Sequence, residues 1–397
     1  MSGAISSRPE AGSTVPMHVA KPEAGPRADS RARPALPSPE AGPQADPRAR
    51  LAPPPRRRLV RAGRLHILVD PRRIVACGLL LLLTTLAFFA ALGAGQVHLG
   101  LPEVVQALAG RGEPGHELLV VSIRLPRVVA AAAAGTALAI SGCLTQVLAA
   151  NRLATPDVLG VSQGATVAVM IGVLASNVAV LSAWWIGPLG AAGAAAVVTA
   201  VAGGIGRRGF RLLIAGIAVS TVAGSLVDVA LARQDLGLAR NVYAWTWGDL
   251  SGSGWSQSVP VLIGIGVLAA CTLPLVADLE LLRMGSDRAA CLGVPVGRLL
   301  ALSLGIAVTL AGLGVGVAGP IAFVALAGPV IASRIAGVGC TPIASGLAGA
   351  ALCIAADTVG RVVAIPTEIP VGIVTTLVGG PLLIWVVLTS RLEEGLS

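Results

Sequence analysis

Charge is scarce in this sequence. Asp, Glu, Lys and Arg make up only 12% of its 397 residues, about half the share of a soluble domain. Lysine is nearly missing, with Lys21 the single example, so the net charge of +9 is carried by arginine. Aromatic residues are thin at 3%. What fills the space is aliphatic: 54% of the chain is hydrophobic and the mean hydropathy is +0.81. One soluble core cannot hide that much apolar surface, so lipid is the solvent for most of the chain. In lipid each backbone amide needs an internal partner, which leaves helices or closed barrels. The apolar runs reach about 20 residues without two-residue alternation, which selects helices.

Signatures of chemistry are missing too. There is no HExxH, no GxSxG and no P-loop GxxxxGK[ST]. The four histidines, His18, His66, His98 and His116, lie outside every apolar run. Buried His or acid at membrane depth is what an intramembrane protease or oxidase would need, so no catalysis is expected of this chain. Cys77, Cys143, Cys271, Cys291, Cys340 and Cys353 include no CxxC pair and read as small core residues, not as a metal site or disulfide frame. No cofactor is expected. Only Asp228 and Asp357 approach membrane depth. Both fall near outer helix ends, where an acid reaches water, and Asp357 stands four residues before Arg361, a helical pairing distance. A proton relay is the competing reading of these two acids.

What is present is a sequence in two parts. Residues 1–70 are rich in Pro, Ala, Arg, Gly and Ser and hold an imperfect repeat, residues 22–33 against 39–50. Such a segment has too few apolar residues to offset its ordering entropy, so a disordered cytoplasmic tail is expected, with 71–397 the membrane domain. Ten apolar spans follow, near 74–94, 128–148, 158–174, 184–203, 212–231, 259–279, 299–317, 323–335, 343–359 and 371–388. This predicts an all-α polytopic bundle with both termini cytoplasmic. Arginine supports that topology, with sixteen on the cytoplasmic flanks against six outside. The same pattern assigns the basic balance to membrane topology and argues against nucleic acid as a partner. The eighth span is short, with Pro320 before it and Pro329 inside it, which suggests a broken or partial helix. Small residues recur at four-residue spacing, as in Gly135-Thr-Ala-Leu-Ala139 and Gly312-Leu-Gly-Val-Gly316, so close helix contacts are expected.

Polar signals concentrate in two loops. Outside, Arg124-Leu-Pro-Arg127 opens the second span. Its two arginines read either as interfacial anchors or as a dock for carboxylates of an extracytoplasmic partner. Inside, the loop after the sixth span contains Arg283, Gly285, Ser286, Asp287, Arg288, Leu292 and Gly293. Ser286 suits a helix start and Gly293 its stop. The segment is either an ordinary connection or a short surface helix that receives force from a soluble motor.

In order and spacing, four stretches resemble the iron-chelate/vitamin B12 (FecCD-type) class of ABC-importer permeases. They are Arg124-Leu-Pro-Arg127 with Ser141-Gly142; Asn151-Arg-Leu-Ala-Thr-Pro-Asp-Val-Leu-Gly160 and its continuation to Ala165; Met284-Gly-Ser-Asp-Arg-Ala-Ala-Cys-Leu-Gly293; and Ala318-Gly-Pro-Ile-Ala-Phe323 with Glu368-Ile-Pro-Val-Gly372. Gly248-Asp-Leu-Ser-Gly252 and Leu282-Arg-Met-Gly285 are most similar to the ferric-enterobactin type. The resemblance implies a multi-pass subunit of a bacterial plasma (inner) membrane importer, moving a ferric siderophore inward by alternating access. Haem or cobalamin is the alternative cargo, and a motor-independent carrier or channel the competing mechanism. It also implies ABC ATPase subunits, an extracytoplasmic substrate-binding protein, and a second homologous permease or a second copy as dimer partner. Arg124, Arg127 and Arg361 would dock the binding protein, and residues 283–293 would couple to the ATPase. Two departures stand out: Val330 follows Pro329 where many relatives have His, and Gly337-Val-Gly-Cys-Thr341 replaces a charged Asp-His-Arg patch. The second departure suits a heterodimer whose other permease keeps that contact.

Overall fold

The computed structural model describes residues 58–62, 65–69, 71–176, 184–204, 209–233, 242–337, 339–365 and 367–394. Helices dominate: α1 (Pro71–Gly93), α2 (Leu101–Leu108), α3 (Leu125–Leu148), α4 (Val161–Ser176), α5 (Ile186–Ala202), α6 (Gly209–Leu231), α7 (Trp255–Thr272), α8 (Val276–Leu282), α9 (Ser286–Cys291), α10 (Val296–Ala318), α11 (Val324–Ala336), α12 (Pro342–Val363) and α13 (Val371–Glu394). Six apolar helical stretches are long enough to cross a bilayer by length and composition, and four shorter apolar helices fall in α4, α5, α11 and α13. These ten coincide with the ten apolar spans of the sequence.

The expected tail is described only at its end. Residues 1–57 lie outside the described residues, and so does the repeat. Strands Arg58–Ala62 and Leu65–Val69 pair antiparallel, Arg58 opposite Val69 and Ala62 opposite Leu65. These strands correct the expectation of disorder at that end of the tail: Leu59, Val60, Ile67, Leu68 and Val69 supply a short apolar, partly β-branched pairing that the basic composition of the region hid.

Packing inverts the pattern of a soluble protein. α3 is the central helix and packs chiefly on α12 and α10. Small residues make up much of its buried face, among them Ala130, Ala134, Gly135 and Ala137, alongside Leu138, Ile140 and Leu144. The large side chains of α1, such as Ile74, Leu81, Leu82 and Leu86, point outward. Lipid is as apolar as leucine, so burying a large side chain gains little, and close backbone approach drives association instead. A methyl group on Gly135 would collide with the Gly349 carbonyl, and one on Gly349 with that of Gly135. Gly312 lies against Pro188 and Gly316 against Gly187 in the same way, joining α10 to α5. Ser141 Oγ adds a 2.6 Å hydrogen bond across to the Ala307 carbonyl, about 0.6 kcal/mol by the average for membrane proteins.

Of the two expectations for the eighth span, a broken or a partial helix, α11 is the partial one. It is short, 13 residues, but runs unbroken through Pro329. Pro329 has no N–H to give the Ala325 carbonyl one turn back. That carbonyl instead lies against Gly142, where a side chain would collide with it, so a neighbouring backbone fills the gap. The irregularity sits at the helix start. Phe323 takes a left-handed conformation, φ 67°, at a cost of about 1–2 kcal/mol.

Candidate functional site

The arginines of the sequence motif do meet at one end of the bundle, but they turn inward. The last turn of α1 leaves carbonyls without helical donors. Arg124 supplies them: Nη1 donates to the Leu92 and Gly93 carbonyls at 2.7 and 3.2 Å, and Nη2 to Val97 at 2.5 Å. Arg361 Nη2 reaches the Ala91 carbonyl at 3.2 Å. A π-helical stretch, Leu118–Arg124, runs into α3 and carries Arg124 into this corner. Arg124 is 5% exposed and Arg361 7%.

Asp357 sits between two guanidiniums. Arg127 Nε and Nη2 donate to its Oδ1 at 3.0 and 2.9 Å, and Arg361 Nε lies 3.0 Å from Oδ2, off-angle for a hydrogen bond. The expected pairing with Arg361 is present. The expectation that Asp357 reaches water is overturned: it is 3% exposed, and two cations replace its hydration. Arg127 Nη1 also binds Glu368 at 2.7 Å, and Glu368, 44% exposed, forms the surface of the cluster.

The opposite end of α1, about 34 Å away for 23 residues, carries the segment read as a coupling element. Ser286–Cys291 is helical as the sequence suggested, flanked by Gly285 at φ 111° and Gly293 at φ 86°. Ala289 and Val294 anchor it. Arg283, Ser286, Asp287 and Arg288 face outward, with Arg288 Nη1 3.4 Å from the Met284 carbonyl. Leu292 is 61% exposed and Met284 is exposed beside it. Two apolar side chains on a charged knuckle are suited to a partner groove.

Sequence reasoning missed the residue that ties this end together. Glu280 Oε1 accepts Arg73 Nη2 from the first turn of α1 at 2.8 Å and the Cys340 N–H at 3.0 Å. Its Oε2 lies 3.5 Å from Arg283. One carboxylate therefore joins α1, the approach to α9 and the 337–341 connection. Gly339 makes this possible, since a side chain there would strike Arg73 and Glu280. No motif marks Glu280; its partners are 207 and 60 residues distant in the chain.

Cysteine usage was half legible. Cys143, Cys340 and Cys353 are buried, but Cys271 and Cys291 are exposed. Cys143 and Cys340 lie 4.0 Å apart, sulfur to sulfur. Contact with Cys143, together with burial, holds the Cys340 thiol well above its usual range. No cluster of three metal-ligating side chains occurs among the described residues.

A third feature is a cavity of about 770 Å³ beside α6. Hydroxyls line it in an otherwise apolar setting: Ser162 and Thr166 from α4, Ser220 and Thr221 from α6. Asp157, which accepts the Ser162 hydroxyl, and Asp228 face it as well. The irregular Pro320–Ala322 turn before α11 forms part of the wall. Polar groups at membrane depth are costly and mark pathways. The four-residue spacing of Ser162 and Thr166 inside an apolar run was the available sequence signal.

Comparisons with known proteins agree with this architecture. The profile of the FecCD transport family matches residues 81–389. The ferric enterobactin transport system permease protein of Escherichia coli (strain K12) is 35% identical over 324 residues, covering 80% of this chain and 97% of its own. The hemin transport system permease protein of Yersinia pestis is 35% identical over 280 residues, covering 68% of this chain and 83% of its own. In fold, a solved inward-facing ABC transporter of metal-chelate type aligns with TM-score 0.70 over 80% of this chain and 99% of its own, at 24% identity. Ten apolar helices, the four motif stretches and a family match across the whole bundle together make this multi-pass membrane chain a member of the FecCD transport family.

Proposed function

We propose that this chain is the membrane-spanning subunit of an ATP-driven importer of ferric siderophores, with hydrolysis supplied by a partner ATPase. The exposed α9 knuckle carries the reading. The bundle has a polar-walled cavity but no motor motif, and α9 offers a rigid apolar contact through which outside work enters. Motor closure pressing on residues 283–298 rocks the helices around the cavity. The cavity is bounded by α6, whose Ile214, Val222, Leu226 and Val229 are exposed. A second copy or a homologous permease closes it from that side, and the chelate passes between the two.

An extracytoplasmic binding protein docks at the Arg127 end. Arg124 and Arg361 are committed to buried carbonyls and to Asp357, so their part is to shape that corner. Arg127 is the member at the surface: it exchanges Glu368 for a carboxylate of the incoming protein. The haem permease relative, as similar in sequence as the enterobactin one, supports haem as the second cargo.

The test is uptake into vesicles holding the purified chain with its ATPase partner. Labelled ferric catecholate accumulates only with ATP and binding protein. Equal accumulation without ATPase would reassign the chain to the motor-independent carriers. Uptake of haem but not the catecholate would select the second cargo.

A further inference from the structure

A second, smaller recess of about 200 Å³ opens at the α9 end of the bundle, apart from the cavity beside α6. It is lined by Gln146 from the last turn of α3, by Asn151 and Arg152 just after it, by Arg283, and by Thr341 and Ser345 at the start of α12. Its chemistry is one-sided. Two guanidiniums face it and no carboxylate lines it. Glu280 is the nearest acid to Arg283, at 3.5 Å, and its other oxygen is taken by Arg73 and the Cys340 N–H.

Several donors around this recess lack acceptors among the described residues. Gln146 Nε2 is buried and makes no hydrogen bond. A buried amide donor left unmade costs about 1–3 kcal/mol, so an acceptor is required there. Asn151 Oδ1 is used by the Leu153 N–H at 2.9 Å, which leaves its amide N–H groups to the recess. Arg152 is exposed and joins no ion pair among the described residues. Ser345 spends its hydroxyl proton on the Thr341 carbonyl. An occupant must therefore bring acceptors and negative charge.

From this we infer that the recess is an oxyanion site for a phosphate group. The donors converge from α3, from the turn after it and from the approach to α9. That three-sided arrangement suits a tetrahedral oxyanion better than a planar carboxylate, and arginine forks bind phosphate in pairs of hydrogen bonds. The recess lies at the end of the bundle where α1 begins with Arg72 and Arg73, and basic residues at the ends of apolar helices attract anionic headgroups. The phosphate group comes from a phospholipid headgroup or from free phosphate.

Two measurements on the full chain test this, each with Arg152→Gln and Gln146→Leu as variants. The first is the melting temperature of delipidated protein in detergent, titrated with inorganic phosphate against chloride at matched ionic strength. The second is the number of phospholipids retained in native mass spectra after extraction from phosphatidylglycerol nanodiscs. A phosphate-specific rise of about 2 °C or more in the parent, lost in both variants, identifies free phosphate. One retained lipid fewer in both variants, with no such rise, identifies a headgroup. Arg152 is exposed, so its glutamine variant folds, and the reading stands or falls on it. Parent and Arg152→Gln proteins identical in both measurements would overturn the site. So would loss of ATPase co-purification in Arg152→Gln with both phosphate readouts unchanged, which would assign the recess to a protein contact.

Discussion

The two ends of α1 meet charged residues in opposite ways. At its last turn, Arg124 and Arg361 are buried on carbonyls, and Asp357 is enclosed by Arg127 and Arg361. Three arginines meet two acids there, and every member but Glu368 is largely held away from water. At the first turn, Arg73 shares Glu280 with Arg283 and a backbone amide, all part-exposed, and α9 projects beyond them. The first cluster behaves as a fastening and the second as a linkage that can be pushed. Desolvated ion pairs are costly to open once formed, whereas part-exposed pairs are worth about 1 kcal/mol or less and exchange partners readily. Arginine counts told the two sides apart but not how each side holds its charge.

The contrast breaks first if the outer cluster tolerates loss of its acid. Asp357→Ala leaves the buried Arg361 without its acid beside the part-buried Arg127 and should destabilise the chain by about 3 kcal/mol. Thermal unfolding in detergent reads this directly, and an unchanged melting temperature would show the cluster to be solvated. Leu292→Asp at the opposite end should leave melting unchanged and reduce ATP-driven uptake at least about tenfold, because it puts a charge into an apolar partner contact worth about 1.4 kcal/mol or more. Equal loss of stability and uptake would mean α9 is structural. Glu280→Gln keeps the hydrogen-bonding shape but drops the charge. A loss of about 1 kcal/mol or less is expected, with uptake lowered while ATP hydrolysis continues; parallel loss of both activities would argue against a linking role. The smallest effect is chemical. Cys271 and Cys291 should react with maleimide in folded protein, Cys291 from the aqueous side, while Cys143, Cys340 and Cys353 stay silent at pH 7. Rapid labelling of Cys340 would contradict the closed packing of the 337–341 connection.

Much of the architecture could be read from the sequence because lipid enforces a simple rule: apolar runs must be helical, and arginine marks their ends. All ten spans were visible this way, and α9 was bounded correctly by Ser286 and Gly293. Small residues forecast the crossings at Gly135 and Gly312, although not their partners. What escaped was whatever depends on which helices meet. Asp357 looked solvated because only its neighbour at i+4 was in view; Arg127, 230 residues away, buries it. Glu280 and the Cys143–Cys340 contact were invisible for the same reason. Pro329 was over-read as a break, though not as a sign of a partial helix: α11 has only 13 residues, and the Ala325 carbonyl that loses its helical donor lies against Gly142.

Gly339 has a practical corollary for anyone who would exchange parts between such transporters. Transplanting a bulky loop over positions 337–341 would put side-chain atoms where Arg73 and Glu280 now meet, and these two flexible side chains would have to move apart. A graft there therefore keeps this contact only if positions 73 and 280 are exchanged along with 339.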